Sequence, residues 1–301
     1  MATELEGKKS AARQTKKILL RQIKKASALV QGQQPSDSTI HSARKQIKMA
    51  RATLRLLRKS LPRKSYRTEN KRLRDAAKPL SEARDATVLL ATFDDLLKSQ
   101  GHRSGTETLH DKFTSERSAT RRKVIQHDGM AQSRRLLQRA RSHAARWQVG
   151  SKGWSTIGAG LGKVYGRGRD ALNAVRKTPT DEAFHEWRKQ ANNLRHQLRL
   201  LQPAQPAVIG AMIEELHKLT DQLGDDHDLA VLRAKLAAQP PQSINQAAQR
   251  RLNAQINRRR VTLQRDAVHR GSRTYRETPR HFCSRLETYW RAWRTAPKKQ
   301  R

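Results

Sequence analysis

Along most of the chain, apolar residues return every three or four positions, and no segment alternates apolar and polar residues long enough to make a strand. That spacing predicts an all-α protein. Helices are expected over 8–31 and 37–61, over 66–99 with a bend near Pro79, and as one long basic helix over 106–148. Further helices are expected over 163–177, 181–202, 206–223, 226–238, 243–277 and 280–294. Pro179, Pro203, Pro206, Gly224, Pro240, Pro241 and Pro279 separate them. Between the two sets, residues 149–168 hold seven glycines, a composition that favours a connection or loosely helical segment and marks the best hinge candidate.

The pattern repeats within the chain. PSDSTIHSARKQIKMARATLRLL (35–57) lies over PTDEAFHEWRKQANNLRHQLRLL (179–201) without a gap, with 11 of 23 residues identical, where chance gives about one or two. A second pair follows at nearly the same offset: LSEARDATVLL from Leu80 and LGDDHDLAVLR from Leu223 share Leu80, Asp85, Val88 and Leu89 with Leu223, Asp228, Val231 and Leu232. The plan expected is one domain over 1–301 built of two pseudo-symmetric helical bundles, a first half over 8–148 and a second over 152–296. A flexible glycine-rich linker between two separable domains is the alternative.

Each repeat helix begins after a proline with an N-cap, Ser36 or Thr180, and an acid in the first turn, Asp37 or Asp181. At about 100° per residue, Ala43, Ile47, Ala50, Leu54, Leu57 and Leu61 share one stripe, and His41, Arg44, Lys48, Arg51, Arg55 and Arg58 share its neighbour. In the second copy Trp187, Ala191, Leu194, Leu198 and Leu201 take the apolar stripe, and His185, Arg188, Arg195 and Arg199 the basic one. Like charges at these spacings cost a few tenths of a kcal/mol per pair. A solvated face would explain a single such run, but duplication of the pattern, histidine included, favours a ladder for a linear polyanion.

Composition agrees. The 301 residues include 64 Lys and Arg against 26 Asp and Glu, a formal charge of +38, which calls for nucleic acid, an acidic membrane surface or another polyphosphorylated partner. Aromatic residues are only 4%, few for base-stacking platforms. One cysteine, Cys283, permits no intramolecular disulfide and fits a reducing compartment as a small buried side chain. Without a signal-peptide pattern or a run of about 20 apolar residues, a soluble cytoplasmic protein is expected.

The patterns His41-x-x-Arg44 and His185-x-x-Arg188-Lys189, with LSEARDATVL and LGDDHDLAVL downstream, resemble the CHAD family, the conserved histidine α-helical domain, over roughly residues 10–295. The resemblance implies two helical bundles about a pseudo-twofold axis. It also implies binding of inorganic polyphosphate through basic helix faces lining a central groove or pore, with association with polyphosphate granules. Carried over by position, it implies contacts from His41, Arg44, Lys48, Arg51, His185, Arg188, Lys189 and Arg195. Lys45, Arg55 and Arg199 extend the two ridges, and Arg13, Lys17, Lys24, Lys163 and Arg167 are candidates from two further helices. Met49, Asn192 and Asn193 stand where the family often has a basic residue, so a weaker grip is expected from the second half.

Other chemistry has less support. DDHD at 225–228 could ligate a metal for phosphate hydrolysis, but its counterpart EARD puts Arg84 in the place of His227, so Asp85 and Asp228 are expected to brace basic side chains instead. ELEGK at 4–8 matches the Glu-x-Glu-x-Lys pattern of the CYTH family without the strands and further carboxylates that activity needs. No nucleophile, metal or cofactor is expected, and the five tryptophans are read as packing residues. Sequence-independent nucleic-acid binding, served by the same charge, is the main rival. A histidine beside an anionic ligand would strengthen binding on mild acidification.

Overall fold

The computed structural model describes residues 4–6, 10–32, 35–99, 105–126, 128–150, 153–240 and 244–296. Lys8, the expected start of the first helix, and Pro241 lie outside them. Among the described residues there are eleven α-helices and three 3-10 turns, with no strand. They are α1 (Ala11–Leu29), α2 (Asp37–Leu56), α3 (Arg63–Ala77), α4 (Ser81–Lys98), α5 (Glu107–Gln126), α6 (Gly129–Ala145), α7 (Ser155–Lys177), α8 (Asp181–Leu201), α9 (Pro206–Ala237), α10 (Gln246–Thr274) and α11 (Pro279–Thr295).

Local signals account for most ends. The Ser36 and Thr180 hydroxyls accept from the amides of Thr39 (3.1 Å) and Ala183 (3.2 Å), satisfying donors that open α2 and α8. Pro79 falls in the 3-10 turn Lys78–Leu80 that divides α3 from α4, because its ring removes a donor and clashes with the preceding turn. Three expectations need correction. The helix expected over 106–148 is two, α5 and α6, divided where Asp128 takes a left-handed φ of 53°. The break expected at Gly224 is absent: α9 runs through it for 32 residues, since one glycine costs only about 1 kcal/mol against a well-packed helix.

The glycine-rich segment is mostly not a hinge. It becomes helix at Ser155, and its glycines admit close neighbours: a Cβ on Gly160 would lie 2.6 Å from the Arg55 carbonyl oxygen and 2.8 Å from the Leu56 Cα, and one on Gly168 2.5 Å from the Tyr275 ring. Helix α7 thus rests directly on the end of α2.

Packing repeats as the sequence does. Helix α1 lies on α2 as α7 lies on α8, and α6 lies on α1 as α11 lies on α7. Asp37 pairs with Arg117 (3.8 Å), and at the corresponding positions Asp181 pairs with Arg260 (2.5 Å). One apolar core gathers α1, α2, α3 and α6, and another gathers α7, α8, α10 and α11 with the start of α9. A third joins Leu90, Phe93 and Leu97 of α4 and Phe113 of α5 to Leu229 and Leu232 of α9 and Leu252 and Ile256 of α10. The tryptophans pack as expected: Trp187 and Trp290 are fully buried, Trp154 is buried, and Trp147 and Trp293 border the cores.

The four helices that carry the repeated motifs close a circuit: α2 packs on α4, α4 on α9, α9 on α8 and α8 on α2. The Gln197 side-chain amide of α8 donates to the Ala52 carbonyl of α2 (3.0 Å), a buried bond at their crossing.

Candidate polyanion-binding surface

Amphipathicity orients the two repeat helices. Ala43, Ile47, Ala50 and Leu54 are fully buried in α2, as are Trp187, Ala191, Leu194 and Leu198 in α8, so the adjoining basic stripes are left facing out of the cores. Because α2 and α8 cross, the stripes meet. Lys48 feels the charges of Arg44 on its own helix and Arg188 on the other, His196 feels Lys45 and Lys48, and Arg55 feels Glu186 and Arg167.

A brace recurs in each half. Arg44 reaches Asp85 of α4 (3.7 Å) and donates to the Ser81 hydroxyl, and Arg188 reaches Asp228 of α9 (3.6 Å). These are the aspartates expected from the second repeated motif. At Gly224, the position matching Ser81, the Arg188 guanidinium lies against the α9 backbone, where a Cβ would be 3.4 Å from it.

Charge is not balanced by these braces. Burial holds the Arg44, Arg51 and Arg195 guanidinium pKa values below their usual range, with Arg84, Arg74 and Arg199 adding to the effect, while Asp85, Asp75 and Asp221 oppose it. Arg55 is pulled down to about 10, by burial and then by Arg51. Lys48 is open to solvent at its surface yet hemmed in by surrounding helices, and this desolvation, followed by Arg44 and Arg188, lowers it to about 8. A cation that resists its own charge in this way is stabilised by any anion that approaches it.

The histidines sit among cations. His41 is exposed at its surface yet partly desolvated by its neighbours, and this, followed by the charges of Arg84, Lys45, Lys48 and Arg44, lowers its pKa. His185 stacks on His227 at 4.6 Å, and burial, then His227 and Lys189, push it to about 4. In the unliganded protein its proton therefore binds well below mild acid. His227 also approaches Asp228 (3.1 Å), and Asp226 holds Arg260 (2.8 Å), so the DDHD motif is engaged by Arg188, His185 and Arg260. Among the described residues no group of three or more metal-ligating side chains forms.

The other candidates divide. Lys163 and Arg167 of α7 adjoin the far end of the α2 stripe, Lys163 beside Arg58 and Arg167 beside Arg55. Lys189 is paired with Glu186, and Arg195 with Asp221 at 4.0 Å. Arg13, Lys17 and Lys24 are exposed on α1, and Lys24 lines a cleft between α1 and α6 with Arg141. Among the described residues no hydrogen bond or ion pair joins them to the α2–α8 surface. Cys283 is partly buried, near the Gly158 carbonyl (3.5 Å), and burial raises its thiol to about 11. Glu4 and Glu6 of ELEGK are exposed, and Lys8 lies outside the described residues.

Sequence reasoning missed Arg84, His196, His227 and Asp221. The repeat pointed to Arg84 and His227, which share one position, but nothing local joined them to His41 of α2 or His185 of α8.

A model of the CHAD domain matches residues 17–237, from α1 through the end of α9. Among solved structures, PptA from Streptomyces chartreusis superposes with a TM-score of 0.66 at 13% identity, covering 89% of this chain and all (100%) of that one. The CHAD domain from the plant Ricinus communis superposes with a TM-score of 0.60 at 17% identity, covering 97% of this chain and 95% of that one. Identities this low establish the fold alone. No curated protein matches in sequence, and no helix among the described residues is long and apolar enough to cross a membrane.

Proposed function

Because the chain belongs to the CHAD family, whose members bind polyphosphate, we propose that it binds inorganic polyphosphate without catalysis, along the joined basic faces of α2 and α8. The observation that carries this reading is the meeting of the two stripes around Lys48, where crowded, partly desolvated cations keep an excess of positive charge despite the Asp85 and Asp228 braces.

The mechanism is electrostatic. Arg44, Arg51, Arg188 and Arg195 offer forked donors to phosphate oxygens, Lys45 and Lys48 act as point charges, and Lys163 and Arg167 extend the path past Arg55 and Arg58. Counterions released from the polymer supply much of the free energy, so affinity falls steeply with salt. The first half dominates, since Lys189 and Arg195 have acidic partners and Asn192 stands where α2 has Lys48. In this reading the chain is one domain of two halves, 8–148 and 152–296, that works in the cytoplasm at polyphosphate granules.

A titration with long-chain polyphosphate, comparing the native protein with Arg44→Glu/Arg188→Glu, tests the site: the folded double variant should bind at least tenfold more weakly. Equal binding would place the site elsewhere. Duplex DNA at equal phosphate concentration should fail to displace the polymer. Release of phosphate that depends on a divalent metal, and is lost in folded Asp228→Asn, would establish hydrolysis instead.

A further inference from the structure

A second concentration of positive charge lies away from α2 and α8. Helix α1 carries six Lys or Arg and α6 carries four, and neither helix contains an Asp or Glu. The two pack side by side in opposite directions: Lys16 donates to the Ala145 and Trp147 carbonyls at the end of α6 (2.7 Å each), while Lys24 faces Arg141 further back. Between them Arg21, Lys24, Arg141 and Ser142 line a cleft of about 320 Å³, and a second depression on α6 is bordered by Arg135, Arg139 and Arg146.

This face looks away from the polyphosphate surface. Leu19, Ile23 and Ala26 bury α1 against Ile40, Ala43 and Ile47 of α2, which leaves Lys17, Arg21 and Lys24 on the opposite side. Helix α6 buries Leu137, Ala140 and Ala144 and exposes Arg135, Arg139 and Arg146. Glu69 of α3 does approach His143 (3.2 Å), but it is buried and also held by Arg72. Like charges stacked at these spacings are unfavourable for the isolated helices.

The shape selects among polyanions. Here two rows of cations run side by side on antiparallel neighbouring helices, whereas the stripes of α2 and α8 meet around Lys48. From Arg135 to Arg146 the α6 row is about 16 Å long, and packed helix axes stand about 8–10 Å apart. Two phosphate strands bordering a duplex groove lie about 6–12 Å apart, so rows at this spacing reach both. No aromatic residue lines either depression, so single strands find no stacking platform.

We propose that the α1–α6 face is a separate docking surface for duplex nucleic acid, gripping the phosphates of both strands without reading bases. The α2–α8 surface then remains free for polyphosphate, and the protein joins the two polymers. The proposal stands independently of the polyphosphate reading, because the two faces share none of these residues.

The test uses the full chain, a fluorescently labelled mixed-sequence DNA duplex and long-chain polyphosphate. In Lys24→Glu/Arg139→Glu/Arg141→Glu, anisotropy should show duplex binding weakened at least tenfold. Lys24→Gln/Arg139→Gln/Arg141→Gln should lower the slope of log affinity against log salt by about 3, at about 0.9 for each phosphate no longer neutralised. Polyphosphate titrations of both variants should match the native protein, while Arg44→Glu/Arg188→Glu should lose polyphosphate and keep the duplex. A ternary complex should form with the native chain. Unchanged duplex affinity in a folded triple variant would overturn the proposal, as would polyphosphate displacing the duplex mole for mole, or a parallel loss of polyphosphate binding in the triple variant.

Discussion

At the proposed site, Lys48 should make polyphosphate binding depend on pH. With a pKa of about 8 in place of 10.5, its side chain is about nine-tenths charged at pH 7 and about one-tenth charged at pH 9. Neighbouring phosphates return the pKa toward its ordinary value, so the complex takes up a proton in the window from about 8 to 10.5. The sign follows: Lys48 contributes fully below pH 8, and its contribution is lost as pH rises. Between pH 7 and pH 9 affinity should fall by up to about tenfold, a ceiling because solvent at the exposed tip screens the interaction. Titration calorimetry at pH 8.5, in two buffers of different ionisation enthalpy, reads the proton uptake directly. Lys48→Arg keeps the charge and removes the titration, so it should bind as well at pH 7 and lose the pH slope. No proton uptake by the native protein, or equal slopes in native and Lys48→Arg proteins, would refute the argument.

Three further outcomes concern stability. Gly160→Ala sets a methyl against the backbone of Arg55 and Leu56, which cannot rotate away; urea unfolding should show a loss of about 1–3 kcal/mol. Arg260 and Asp226 are both buried and joined at 2.8 Å, so Asp226→Ala strands a guanidinium half-paired and should cost about 3–5 kcal/mol by the same assay. His185 and His196 are held to about 4 and about 3 by burial, below an ordinary 6.5. The unfolded chain therefore protonates first, and the melting temperature of the unliganded protein should drop as pH falls from about 6.5 to 4. His185→Gln/His196→Gln should flatten that part of a curve of Tm against pH.

What the sequence could reveal depended on distance. The caps Ser36 and Thr180, the break at Pro79 and the sorting of α2 and α8 into greasy and basic faces are local, and periodicity exposed them. The Asp85 and Asp228 braces are long-range, yet duplication made them legible, because two copies of one motif kept the same residue. The split between α5 and α6 was signalled by the pair Asp128 and Gly129, outweighed by the strong helical spacing on either side. The glycines of α7 misled because their reason lies elsewhere in the chain: Arg55 and Tyr275 occupy the space that a methyl would need. Stacking of His185 on His227 was hidden for a related reason, since the first copy has Arg84 there and offered no second instance.

The third apolar core, where α4 and α5 meet α9 and α10, has a mechanical consequence. Phe93, Phe113, Leu232 and Ile256 are each almost wholly buried at that seam, so the two halves are held by cohesion across it as well as by the covalent strand between α6 and α7. A protease nick in that strand would leave a two-piece particle that still sediments as one body, and either piece made alone would expose an oily scar and clump.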